Sequence, residues 1–221
     1  MSNVMLNELD RELETRGHRF VRYADDLIIL CKSQRGATRS KESIIRYIEG
    51  RLFLKVNREK SSVAYITGVR FLGHSFYKMK GECRLRVHRK SVEKMRGRIL
   101  ELTSRSNGWG NARRKEALKQ FIAGWVNYFR LADMQKLMAK TDEWYPRRIR
   151  MVIWKQWKRI KTRAANLMKL GVSRFKAAEY ANSRKGYWHV ADRWVQSTTL
   201  TAQRLRTGGY TLLADCVQNA R

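Results

Sequence analysis

Two adjacent carboxylates, Asp25 and Asp26, interrupt the apolar, β-prone run from Phe20 to Leu30. A strand interior would not hold them, because burying an unpaired charge costs several kcal/mol. The reading that satisfies both residues is a hairpin. Phe20 to Tyr23 lead out, Leu27 to Cys31 lead back, and the aspartates sit at the tip facing solvent. Paired carboxylates on a rigid turn supply the oxygen donors that hard divalent cations prefer. Magnesium bridged over a phosphate oxygen is the basis of two-ion nucleotidyl transfer. An ordinary hairpin also uses Asp in its turn, so the dipeptide alone leaves both readings open.

The elements around the pair give it a setting. Leu6, Leu9 and Leu13 recur at helical spacing, so residues 2–15 are expected to form a helix that stops at Gly17. A second helix is expected over 37–52, where Ile44, Ile45, Ile48 and Leu52 form one stripe. Short strands are expected at 53–57, 62–66, 69–77 and 84–87. This is an antiparallel sheet with helices packed on it. From His88 onward strand signals give way to helices, expected near 91–102, 111–130, 134–163, 173–183 and 191–205. Pro146, the chain's single proline, falls inside the third and must start, end or kink a segment there. The expected boundary separates residues 1–85 from 86–221, in an α+β fold class.

Charge sharpens the division. The 221 residues carry 48 Lys and Arg against 19 Asp and Glu, a net charge of +29. Residues 1–86 hold 18 basic and 10 acidic side chains, whereas residues 87–221 hold 30 and 9. Such a field favours a polyanion, and a phosphate backbone is the leading partner. Arg113, Arg114, Lys115, Lys155, Lys158, Arg159 and Arg163 are the expected RNA contacts. Among the neighbouring aromatics, Trp125 and Phe129 lie on a stripe with Leu118 and Ile122 and read as core. Trp154 and Trp157 also lean to packing, as tryptophan is usually buried. Cys31, Cys83 and Cys216 are too dispersed for a disulfide framework or a cysteine-rich zinc site, and the four histidines share no metal-ligand spacing. No apolar run reaches the ~18 residues of a membrane span. A cytoplasmic location is expected.

Taken together these residues resemble group II intron-encoded reverse transcriptases/maturases. Tyr23-Ala24-Asp25-Asp26 in its apolar hairpin resembles the reverse-transcriptase palm signature. Leu54-Lys55-Val56-Asn57-Arg58-Glu59-Lys60-Ser61 and Phe71-Leu72-Gly73 resemble the palm motifs that follow it. Phe121 to Phe129, Trp154 to Lys158 and Ser183 to Trp188 resemble the maturase-specific thumb, or domain X. The resemblance implies a partial palm followed by an all-α thumb/maturase domain. It implies RNA-directed DNA synthesis, and binding of intron RNA for splicing and mobility. Asp25 would ligate catalytic Mg2+ and Asp26 would support or join that coordination. Lys60 would assist the departing pyrophosphate, and Tyr23, Phe71, Leu72 and Gly73 would position primer and template. The implied partners are group II intron RNA, primer-template nucleic acid and dNTP.

One departure matters. The family's two-ion site needs a further carboxylate from an upstream palm strand, and the only acids before Asp25 are Glu8, Asp10, Glu12 and Glu14, on the expected first helix. The fingers pattern is missing too. A separate chain carrying fingers and upstream palm is therefore an expected partner, with residues 1–221 inactive as a polymerase alone. An RNA-binding maturase without polymerase activity and an inactive remnant of a mobile element are the other readings. No downstream HNH-type nuclease pattern follows domain X.

Overall fold

The computed structural model describes residues 2–219 and divides into two units, one ending at Arg84 and the next beginning at Leu85. In the first, helix α1 (Ser2–Thr15) buries Leu9 and Leu13. Strands β1 (Arg19–Tyr23) and β2 (Asp26–Leu30) pair antiparallel, with Tyr23 opposite Asp26. Side chains alternate along a strand, and here the alternation decides which face is buried. Phe20, Leu27 and Ile29 pack on the core of Leu9, Leu13, Ile44 and Leu52, while Val21, Tyr23 and Leu30 stay exposed. Helix α2 (Gln34–Gly50) supplies Ile44 and starts where Ser33 Oγ accepts from the Gly36 N–H, an ordinary N-cap arrangement.

The strands expected at 53–57 and 62–66 do not form. Residues 51–65 run without strand pairing, and only a short 3-10 turn at Ile66–Gly68 follows. Asn57 explains part of this, since its side chain accepts from the Lys60 N–H and its carbonyl from the Ser61 N–H, making a local turn. The strand expected over 69–77 folds back on itself. β3 (Arg70–Phe71) turns at Leu72 and Gly73 into β4 (His74–Met79), which turns at Lys80 and Gly81 into β5 (Glu82–Val87). Both turns hold two successive residues at positive φ, 48° and 77° in the first and 51° and 84° in the second. That geometry matches the twist of a two-residue hairpin and favours Gly at the second position.

The second unit is helical: α3 (Arg89–Leu102), α4 (Asn111–Tyr128), α5 (Gln135–Gln156), α6 (Ile160–Lys169), α7 (Arg174–Ala181), α8 (Tyr187–Asp192), α9 (Trp194–Thr199), α10 (Ala202–Thr207) and α11 (Leu213–Asn219). Its main core joins Met95 and Ile99 of α3, Leu118 and Ile122 of α4, Met138 and Ile149 of α5, and Leu213 and Val217 of α11. A second cluster gathers Trp154, Leu167, Ala177, Val190 and Val195. Helix α5 continues through Pro146, which is buried, and the helix expected to reach 163 breaks instead at Trp157. The helix expected over 191–205 is broken at Arg193 and again around Leu200, so its residues are shared among α8, α9 and α10.

Arg114 corrects an expectation. It is 2% exposed, on the same face of α4 as Leu118, Ile122 and Val126. Its guanidinium donates to the Leu102, Ser104 and Trp109 carbonyls and to Asn107 Oδ1. It closes the α3–α4 connection from within and is not available to RNA. Burial also holds its pKa below the usual arginine value. Replacing it by Leu strands those acceptors, and the full chain is expected to lose about 3 kcal/mol in urea unfolding. Arg113→Leu, on the exposed side, should change stability by about 0.5 kcal/mol or less; equal losses for the two would contradict this division.

Asp142 of α5 ties α11 down by accepting from the Leu213 N–H at 3.1 Å and the Ala214 N–H at 2.8 Å. Burial pushes its carboxyl up, and these two hydrogen bonds only partly offset that. The folded chain therefore holds this proton more tightly than the unfolded chain does. The group's contribution is complete below the unfolded value of about 4 and is lost as pH rises through the folded value. The stability of Asp142→Asn relative to the parent chain should accordingly increase from pH 4 to pH 7, read by thermal melts; a relative stability of the variant that falls over that range would contradict it.

Candidate metal and nucleic-acid sites

The hairpin places Ala24 and Asp25 at its two-residue tip, with Asp26 as the first residue of the returning strand. Tyr23, Asp25 and Asp26 are all exposed. Ala24 has φ 51°, in the left-handed region, which costs an L-residue about 1–2 kcal/mol. Arg22 supports this turn from one strand position back. Its Nε donates to Asp10 Oδ1 at 2.7 Å, its Nη2 to Asp10 Oδ2, and its Nη1 to the Ala24 carbonyl at 3.1 Å. The Asp10 hydrogen bond raises the Arg22 pKa, and the charge of Asp25 adds to the rise. One guanidinium thus links α1 to the turn that presents the carboxylates.

The donor chemistry of the pair suits a hard cation. The number of donors does not complete a site: among the described residues no group of three or more His, Cys, Asp or Glu could hold a metal. Asp10, the acid nearest the turn through Arg22, is engaged by that guanidinium. The residues present therefore fit a two-ion centre only in part, and no catalytic step follows from them alone.

Lys60 is exposed on the Asn57 turn. Phe71, Leu72 and Gly73 lie half-buried at the β3–β4 turn. Their sheet, β3-β4-β5, is separate from the β1-β2 hairpin, so hydrogen-bonded strand pairing does not connect them to the aspartates.

The expected RNA contacts of the second unit fall into two groups. Arg113, Lys158 and Arg159 are exposed, and Lys115 and Lys155 are half-buried. Arg113 lies 4.5 Å over the Trp109 ring, and Lys115 Nζ is 5.3 Å from the Tyr210 ring. Arg163, by contrast, is half-buried, donates to the Trp157 carbonyl at 2.9 Å and lies 4.9 Å over Trp154. Its role is to close the α5–α6 break. Trp154 is buried and meets Trp157 edge-on at 5.9 Å, so both pack within the unit.

A cationic cluster was not anticipated from the sequence. Arg147 lies 4.0 Å over the Trp188 ring, donates to the Trp188 carbonyl and pairs with Asp192 at 3.1 Å. Arg148 and Arg105 stand near the same ring and that of Tyr187. The partners are some 40 to 80 positions apart in the chain, so no local periodicity joins them. The only advance signal is the Arg147-Arg148 doublet beside Pro146.

Residues 1–76 match the reverse transcriptase (RNA-dependent DNA polymerase) family, and residues 92–171 match the group II intron, maturase-specific domain family. No curated protein matches the chain. The two matches stand in the order that the hairpin unit and the helical unit occupy in the fold. The chain belongs to the group II intron-encoded reverse transcriptases/maturases.

Proposed function

We propose that residues 1–221 bind group II intron RNA through the helical unit and contribute Asp25 and Asp26 to a Mg2+-dependent polymerase site that they do not complete. By family the activity is RNA-directed DNA polymerisation joined to maturase function, with intron RNA and nucleic-acid substrates. The observation that carries the RNA reading is the charge of residues 87–221, 30 basic against 9 acidic side chains. Neutralising phosphates with such a surface releases counterions and makes affinity fall with salt. Arg113, Lys115, Lys155, Lys158 and Arg159 are the contacts that fit this role.

In the polymerase role, Asp25 is the metal ligand and Asp26 its support. Magnesium, when bound, would stabilise the attacking and leaving oxygens of the nucleotide. Lys60 would meet the pyrophosphate of an incoming dNTP, with Tyr23, Phe71, Leu72 and Gly73 near the primer end. A further carboxylate must then come from another polypeptide segment, such as a separate chain with fingers and upstream palm. A second reading is a maturase that works on RNA without polymerising; it would need no third ligand beside Asp25 and Asp26, and none is found among the described residues.

Two measurements on the 1–221 chain test this. Filter binding should show group II intron RNA held at least about tenfold more tightly than a scrambled RNA of equal length, with log affinity falling linearly in log salt. Asp25→Ala should leave that binding unchanged. Equal affinities would reduce the interaction to generic polyanion binding. Primer extension by the chain should not exceed that of Asp25→Ala; extension above it would overturn the claim that the site is incomplete.

A further inference from the structure

The cationic cluster borders a cleft of about 310 Å³ formed by the end of α3, the loop after it, α5 and α8, with Ser104, Arg105, Ser106, Arg148, Met151 and Trp188 on its walls. This is the lower end of the ~300–1,000 Å³ range of small-ligand pockets. It suits one nucleotide and not a stretch of helix.

Its electrostatics ask for an anion. Arg148 and Arg105 face the same cleft, and no ion pair with a carboxylate is found for either among the described residues. The acids nearby are engaged elsewhere: Glu101 pairs with Arg98 at 2.7 Å, and Asp192 with Arg147 at 3.1 Å. The Arg148 pKa is lowered, first by burial and then by the charge of Arg105. Arg148 is fixed in place, donating to Thr103 Oγ1 and to the Leu100 and Thr103 carbonyls. Arg105 is exposed, its guanidinium carbon 5.3 Å from the Tyr187 ring centroid. A fixed charge and an exposed one, flanked by two serine hydroxyls, are the parts of a phosphate site.

Trp188 adds a stacking surface. Arg147 holds it by lying over the ring and donating to its carbonyl, yet 40% of the residue remains exposed. Aromatic rings accept any base face, provided the base is unstacked from its neighbours.

We propose that this cleft binds a single unpaired RNA nucleotide, with its phosphate between Arg105 and Arg148 and its base on Trp188. The inference rests on the RNA-binding reading above and adds to it a preference for a bulged or looped-out residue over continuous duplex.

The test uses the 1–221 chain and two short RNA hairpins, identical except that one carries a single bulged uridine in its stem. Fluorescence anisotropy at fixed salt should show the bulged hairpin bound roughly tenfold more tightly, the effect expected of one stacked base. Trp188→Ala should abolish that preference while keeping affinity for the fully paired hairpin within about twofold, and the exposed Arg105→Gln, which leaves the packed interior untouched, should abolish the preference as well. Equal binding of the two hairpins by the parent chain, or a preference that survives both substitutions, would overturn the inference while leaving RNA binding intact. Loss of binding to both hairpins in the parent chain would instead overturn the RNA-binding reading, and this inference with it.

Discussion

The helical unit depends on arginine side chains that bond to backbone carbonyls in place of carboxylates. Residues 87–221 hold too few acids to pair their basic groups. Helix ends also leave carbonyls without intrahelical donors. The two deficits answer each other. Arg114 donates to Leu102, Ser104 and Trp109, Arg148 to Leu100 and Thr103, Arg150 to Leu200, and Arg204 to Leu170 and Thr199. A hydrogen bond from a charged donor contributes about 1.5–3 kcal/mol. Unlike an ion pair, it leaves the positive charge in place. The same contacts that join α3, α4, α5 and the C-terminal helices therefore maintain the field that draws in a phosphate backbone.

The hairpin unit uses arginine differently. Arg22 has a true carboxylate partner in Asp10, and through it the tip carrying Asp25 and Asp26 is tethered to α1. Ala24 sits in a conformation that glycine would adopt more readily. Backbone strain of this kind persists where surrounding structure over-determines it, often at functional turns. The tip is thus a rigid display of two carboxylates. Among the described residues no third His, Cys, Asp or Glu joins them.

Much of this was legible in the sequence wherever one periodicity acts alone. The α1 stripe, the hairpin at Asp25–Asp26 and the stripes of α3 and α4 follow directly from apolar spacing. Apolar alternation does not reveal the turn that Asn57 makes with Lys60 and Ser61 after 53–57, nor the turn at Leu72-Gly73 inside 69–77. Arg114 was legible in principle. Three consecutive basic residues on a helix cannot share one face, and only Arg114 lies four residues before Leu118 and eight before Ile122. The cleft at Trp188 was not legible, because its walls come from α3, α5 and α8 and meet only through tertiary packing.

In the helical unit, then, arginines satisfy the backbone while their charge stays uncompensated. Thermal unfolding of the 1–221 chain as a function of sodium chloride tests it most directly. Self-repulsion among like charges is screened over about 10 Å at about 0.1 M salt. The melting temperature is expected to rise as salt increases from about 50 to about 300 mM, the range over which that screening grows. A melting temperature that falls over the same range would mean that attractive ion pairs dominate the fold, and would contradict it.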